Sequence, residues 1–273
     1  MAESSHDTDA PLDRALALAA DALRARPAGL LTDFDGTLSP IVADPTLARL
    51  VDGASGALAG LVERLAVVAI ITGRSPTDAR RLVDVPGVLV SGNHGTEWLE
   101  PAASEPVPSP QMARIRPILD EVLDRLPVME GVIVEDKGIS ASVHYRNAPH
   151  PEATRKTLTR ALGSMPPEIE ARHGRMIIDI RPVGLGDKGS AARTVVDRYG
   201  LRGVVVLGDD VTDLDMFSAV ADARADGYIR GVIIGVGGPD SEVHPAVANL
   251  SDVVLHSVTD AAELLARLAS APA

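Results

Sequence analysis

The segment Asp33-Phe34-Asp35-Gly36-Thr37 places two carboxylates one residue apart, just ahead of a glycine and a hydroxyl. It follows a short apolar run at 29–32, so it falls at the end of an expected strand, where open α/β sheets present their ligands. Carboxylates at i and i+2 can point towards one site, one attacking phosphorus while the other handles the proton of the leaving group. Gly36 lets the chain turn away from that site. A solvated Asp-Gly turn is the plain alternative. A calcium loop would need more oxygen ligands before its glycine and a Glu after it, and Phe34 is apolar.

A second acidic segment, Gly208-Asp209-Asp210-Val211-Thr212-Asp213, follows another apolar run, so its acids can converge on those of the first. Together they make a hard-cation site, with Asp33 and Asp209 as the best ligands and magnesium, which takes oxygen donors, as the expected ion. Thr72 in Ile71-Thr72-Gly73-Arg74 and Lys188 at the start of a helix are fit to hold phosphate oxygens. Arg74 joins the residues expected to bind substrate.

These residues need a scaffold. Runs rich in Val, Ile and Leu at 29–32, 67–72, 88–91, 204–207, 231–236 and 252–255 end abruptly in polar residues, as buried parallel strands do. Helical spacing at 48–65, 188–199, 213–224 and 261–268 alternates with them, and a further helix is expected at 12–26. This predicts a doubly wound, mostly parallel, Rossmann-like α/β core. The proline-crowded stretch 100–110 reads as a linker. After it the order is helix 111–126, strands 131–136 and 139–146, helix 152–162, strands 168–173 and 176–181. Ile139, Ala141, Val143 and Tyr145 alternate with Ser140, Ser142, His144 and Arg146, giving one apolar and one polar face. Residues 106–184 are therefore expected to form an α+β cap inserted into a core made of 1–105 and 185–273, a lid for a site.

A net charge of -12 spread through 273 residues disfavours nucleic acid and anionic membranes as partners, and no protein partner is inferable. The chain has no cysteine, so thiolate zinc sites, disulfides and a cysteine nucleophile are excluded and a reducing compartment, the cytoplasm, is expected. The polar, acidic stretch 1–10 lacks the pattern of a signal peptide and is expected to fray.

In this order the four segments resemble the haloacid dehalogenase superfamily of phosphatases. That resemblance implies Asp33 as nucleophile, Asp35 as acid and then base, and Thr72 and Lys188 as phosphoryl holders. It also implies magnesium on Asp33, Asp209 and the Asp35 backbone carbonyl, with Asp213 supporting the metal shell or Lys188. Three further strings, Gly92-Asn93-His94-Gly95-Thr96-Glu97, Glu135-Asp136-Lys137-Gly138 and Ser142-Val143-His144-Tyr145-Arg146, resemble trehalose-6-phosphate phosphatases. In that family the equivalents of Asn93, His94, Glu97, Glu135 and Lys137 are the sugar-recognition set, which makes a sugar phosphate the expected substrate. Two positions depart from the family pattern: Leu214 and Asp179 stand where Glu is usual. Sucrose-phosphate and mannosyl-phosphoglycerate phosphatases are the alternatives within the superfamily, and a non-catalytic sugar-phosphate sensor is the alternative outside it. One string misleads: Gly184-Leu185-Gly186-Asp187-Lys188-Gly189 matches a dinucleotide fingerprint, with Asp209 at about the right distance. Asp187 would, however, bring negative charge towards a pyrophosphate, and Asp33 and Asp35 would be left without a role.

Overall fold

The computed structural model describes residues 10–42, 47–109, 112–136, 138, 140–174, 176–183, 187–237 and 243–271. The stretch 1–9, expected to fray, lies outside them.

The chain divides into two compact units, Met1–Val107 with Asp187–Ala273, and Pro108–Gly186. In chain order the first unit begins with α1 (Ala10–Leu23), β1 (Ala28–Thr32), α2 (Ala54–Val62), β2 (Val67–Ile71), α3 (Pro76–Val83), β3 (Leu89–Gly92) and β4 (Glu97–Leu99), and the two-residue β5 (Val107–Pro108) falls at the boundary with the second. The second unit holds α4 (Ile115–Leu123), β6 (Ile133–Asp136), β7 (Ala141–His144), α5 (Pro151–Leu162), β8 (Ile169–Gly174) and β9 (Ile177–Pro182). The chain then returns to the first unit with α6 (Lys188–Arg198), β10 (Gly203–Gly208), α7 (Leu214–Ala225), β11 (Arg230–Val236), α8 (Pro245–Leu250), β12 (Val253–Leu255) and α9 (Val258–Ser270).

The first unit's sheet runs β12-β11-β10-β1-β2-β3-β4-β5, parallel from β12 to β3, with β4 antiparallel to β3. Strand alternation sends successive apolar residues to opposite faces. Leu30, Val68, Ile70, Val205 and Leu207 pack with α1, α2, α3 and α9, while Leu31, Ala69, Ile71, Val204 and Val206 pack with α6, α7 and α8. Helices cover both faces, as expected of a doubly wound sheet. The chain passes from β1 to β2 on one side, and β10 pairs on the other, so β1 is the point where strand order reverses and a crevice opens at the carboxyl ends. The second unit's sheet, β6-β7-β9-β8, is antiparallel and packs Val143, Ile178 and Ile180 with Leu119 and Leu158 from its two helices.

Several expectations require correction. The helix expected from residue 48 starts only at Ala54, because Gly53 adopts φ 86 and the Val51 amide bonds back to the Leu38 carbonyl at 2.9 Å. In place of a helix over 111–126, regular α structure spans Ile115–Leu123; Pro117 lies in its first turn, where a missing N–H costs nothing. The stretch read as a linker contains β5. On the polar face of β7, Ser142 is 2% exposed and donates to Asp179 Oδ1 at 2.6 Å, so that face is not uniformly open.

Close approach makes some glycines indispensable and leaves others free. A Cβ at Gly203 would lie 2.2 Å from the Ala22 carbonyl oxygen, whereas one at Gly56, within α2, meets nothing within 4 Å. Gly203→Ala is expected to lower stability by about 1–3 kcal/mol. Gly56→Ala is expected to raise it by roughly 0.5–1 kcal/mol through helix propensity. Thermal melts of the two variants check both signs.

Candidate active site

Every residue of β1 is buried, and its register with β10 brings the segments after the two strands side by side. The Asp33 amide donates to the Leu207 carbonyl at 3.1 Å, and the Phe34 carbonyl then accepts from Leu38 and Ser39, both at 2.9 Å, closing a tight turn. Gly36, at φ 79, passes so close to the other acidic loop that a Cβ there would fall 2.0 Å from Asp209 Oδ2. Thr37 Oγ1 donates to Asp209 Oδ1 at 3.0 Å and ties the loops together.

Lys188 opens α6 and is 2% exposed. Its Nζ lies 3.0 Å from Asp33 Oδ1 and 2.7 Å from Asp213 Oδ1. The other oxygen of Asp213 accepts from the Asp209 and Asp210 amides at 2.9 and 3.1 Å, so one carboxylate fixes both the lysine and the acidic loop. A Cβ at Gly208 would meet the Asp213 carboxyl carbon at 2.6 Å. Asp187 caps α6 by accepting from the Ser190 amide at 2.6 Å. It therefore has a structural role; Gly184 and Gly186 of the misleading dinucleotide string lie outside the described residues, and Gly189 is buried in α6, where a Cβ would fall 2.5 Å from the Asp215 carbonyl oxygen.

Asp33, Asp209 and Asp213 each offer an oxygen within 4.8 Å of the others. Three carboxylates against one ammonium leave uncompensated negative charge in a poorly solvated place. Burial pushes Asp33 up to about 8, against the pull of Lys188, and burial followed by the charge of Asp213 pushes Asp209 up to about 7. Burial alone would lower Lys188, but the charges of Asp33 and Asp213 more than offset it and hold it above its usual value. This donor set fits a hard divalent cation: all oxygen, with excess negative charge. Since both oxygens of Asp213 are engaged, Asp33 and Asp209 are the carboxylates left to hold the ion.

The remaining expected residues sort into three places. Thr72, 1% exposed at the end of β2, accepts from the Arg74 amide at 3.3 Å through its hydroxyl. The Asn93 amide donates to the Arg74 carbonyl at 2.8 Å and the His94 amide to that of Thr72 at 2.9 Å, so the loop after β3 braces the turn after β2. Asn93 also donates through its side chain to Glu97, and His94 packs where a Cβ at Gly73 would fall 2.7 Å from the ring. Burial, then the Lys188 charge, pushes His94 below its usual value. Glu135 is exposed on β6 of the second unit, with His144 Nε2 2.9 Å away. Lys137 lies outside the described residues. Asp35, expected to face the site with Asp33, has both oxygens on the guanidinium of Arg74 at 2.7 Å. Sequence reasoning missed that pairing and the Thr37–Asp209 bond. Asp179 accepts from Ser142, and Leu214, at the start of α7, packs against the apolar cluster beneath that helix.

Comparison with known proteins follows the same lines. The family model described as trehalose-phosphatase matches residues 31–242. The trehalose-phosphate phosphatase of Mycobacterium avium is 36% identical over 265 residues, 94% of this chain and 66% of that protein. That of Mycobacterium leprae is 37% identical over 213 residues, 73% of this chain and 49% of that protein. The chain thus spans from about half to just under two thirds of these relatives' length. Among solved structures, Aspergillus fumigatus trehalose-6-phosphate phosphatase aligns with TM-score 0.61 and 25% identity over 93% of this chain and 97% of that one. The C-terminal domain of the Candida albicans trehalose-6-phosphate phosphatase aligns with TM-score 0.61 and 22% identity over 95% and 98%.

The raised carboxylates carry a sign. Between the ordinary carboxylate range and about pH 8, the cation-free folded chain keeps protons on Asp33 and Asp209 that the unfolded chain has released. The stability they contribute is therefore present below that range and lost as pH rises through about 7 to 8. A divalent cation replaces those protons, so its stabilising effect should grow with pH. Thermal melts with and without magnesium chloride should show a much larger upward shift at about pH 8 than at about pH 5.5, where protons compete. Equal shifts at both would show that the cation binds elsewhere.

Proposed function

The chain belongs to the trehalose-phosphatase family, and from that premise we propose that it hydrolyses trehalose 6-phosphate to trehalose and phosphate, with magnesium, through an aspartyl-phosphate on Asp33. The observation that carries this reading is the buried Asp33–Lys188–Asp213 arrangement beside Asp209.

In the proposed reaction an Asp33 carboxylate oxygen attacks phosphorus and the bond to the sugar oxygen breaks, with Asp35 giving its proton to that oxygen. Water then attacks the phosphorus of the aspartyl-phosphate, Asp35 takes its proton, and the bond from phosphorus to the Asp33 oxygen breaks, freeing phosphate and restoring the Asp33 carboxylate. Lys188, kept charged by Asp213, and the Thr72 hydroxyl hold the phosphoryl oxygens. Asp33, Asp209 and the Asp35 main-chain carbonyl would hold magnesium, which supplies positive charge against the phosphoryl group when bound. Asn93, His94 and Glu97 after β3, and Glu135 and Lys137 in the second unit, are assigned to the sugar. The second unit is thereby given the role of a specificity cap. The absence of cysteine supports a cytoplasmic setting, and no helix among the described residues is long and apolar enough to cross a membrane.

Asp33→Asn should abolish phosphate release from trehalose 6-phosphate, by several orders of magnitude, without changing the melting temperature by more than a few degrees. A chelator should silence the wild type, and magnesium should restore it. A variant that keeps a few tenths of wild-type turnover rules out the covalent route.

Groups that meet only the sugar should matter only for the sugar. Glu97→Ala, Glu135→Ala and Lys137→Ala are expected to lower kcat/KM for trehalose 6-phosphate roughly tenfold to a hundredfold each, while an aryl phosphate barely notices. Specificity constants for both esters, with sucrose 6-phosphate and mannosylglycerate phosphates alongside, test the assignment. Parallel losses on sugar and aryl esters would instead mark these residues as structural.

A further inference from the structure

A second chain of charges runs from the catalytic loop into α3. Arg74 donates through Nε to Asp35 Oδ2 and through Nη2 to Asp35 Oδ1, both at 2.7 Å, and through Nη1 to Asp78 Oδ2 at 3.0 Å. Asp78 Oδ1 accepts from Arg81 Nη2 at 2.6 Å. The guanidinium lies 5.5 Å from the centroid of the Phe34 ring. Its side chain is 12% exposed, against 38% for Asp35 and 36% for Asp78. Ser75 opens α3 as its N-cap, accepting from the Asp78 amide at 3.2 Å, which sets where the Asp78 carboxylate starts.

We propose that Asp78 is a positioning residue for the hydrolysis: acting through Arg74, it fixes where the Asp35 carboxylate stands. This deepens the reading above and rests on its assignment of Asp35 as acid and base.

Arginine is long and flexible, so a guanidinium held along one edge alone can pivot. Here one edge grips Asp35, the remaining nitrogen grips Asp78, and the fully buried ring of Phe34 lies beneath the plane. Contacts on both edges and the ring beneath restrict how far the guanidinium can pivot. Asp35 is more than a third exposed and would otherwise sample several rotamers. Proton delivery to a poor leaving group demands a carboxyl within hydrogen-bond reach of the departing oxygen, so a small loss of placement falls on that step. The plainer account makes Asp78 a first-turn helix acid with a surface partner in Arg81, a role that touches stability alone.

The two accounts separate on leaving groups. Asp78→Asn, Asp78→Glu, Arg74→Gln and the Asp78→Asn/Arg74→Gln pair are compared with wild type on trehalose 6-phosphate and on nitrophenyl phosphate, whose leaving group needs no protonation. Asp78→Asn should lower kcat/KM for the sugar ester about tenfold with KM within about twofold, while kcat/KM for the nitrophenyl ester, which reports only as far as the aspartyl-phosphate common to both, stays within about twofold. Asp78→Glu should recover part of the loss, and Asp78→Asn should add less than about twofold once Arg74 is Gln. Equal losses of kcat/KM on both esters, a change in KM alone, full additivity with Arg74→Gln, or a lower melting temperature with unchanged kcat/KM would each overturn the proposal. If Asp35→Asn itself lowers kcat/KM equally for both esters, the assignment of Asp35 as the acid falls first and the proposal falls with it, a result read without any Asp78 variant.

Discussion

A lysine ammonium that is 2% exposed needs carboxylates around it, and the catalytic end of this fold follows from meeting that need. Lys188 is met by Asp33 from the end of β1 and by Asp213 from the turn after β10. Three segments distant in sequence must therefore converge within hydrogen-bond distance. Parallel pairing of β1 with β10 brings two of them together, and the start of α6 supplies the third. Small residues permit the approach: side chains at positions 36 and 208 would strike Asp209 and Asp213.

That same arrangement leaves the charge unbalanced, and the imbalance is what chemistry can use. One lysine cannot neutralise Asp33, Asp209 and Asp213 together, so burial raises the first two above their ordinary range. Replacing their protons with a divalent cation would remove the penalty and leave Asp33 ionised, as the proposed nucleophile must be. Asp213 differs because both its oxygens have partners, which makes it the fixed member of the group.

Much of this was legible in the sequence, for physical reasons. Strands buried on both faces are written as unbroken Val, Ile and Leu runs, and the six core runs appear as strands within a residue or two of their expected limits. Asp33, Asp209, Asp213 and Lys188 were readable because each acid or base follows such a run or opens a helix. What escaped was written in weaker signals. Helix α3 is amphipathic but only eight residues long, and its opening Ser75-Pro76 with Asp78 three positions on was the one available sign. The three-residue strand β4 is too short to show a period. No spacing rule could pair Asp35 with Arg74, since they lie 39 residues apart and meet only because β1 and β2 are neighbours.

The loop after β3 shows how recognition and support share one segment. Asn93 and His94 were read for what their side chains could offer a sugar, yet their amides hold the Thr72–Arg74 turn and both sit at positive φ, 49 and 57. Asparagine accepts that conformation more readily than most residues, and the backbone bonds would survive a change of side chain. Gly95, at φ 98, passes close enough to the Asp187 carbonyl that a Cβ there would lie 2.7 Å away, which seats the loop on the start of α6. The loop therefore spans from the turn that carries Thr72 to the helix that carries Lys188. Any group that displaced it would disturb Thr72 and Lys188 together, so the side chains of Asn93, His94 and Glu97 stand on a support that their own backbone helps to build.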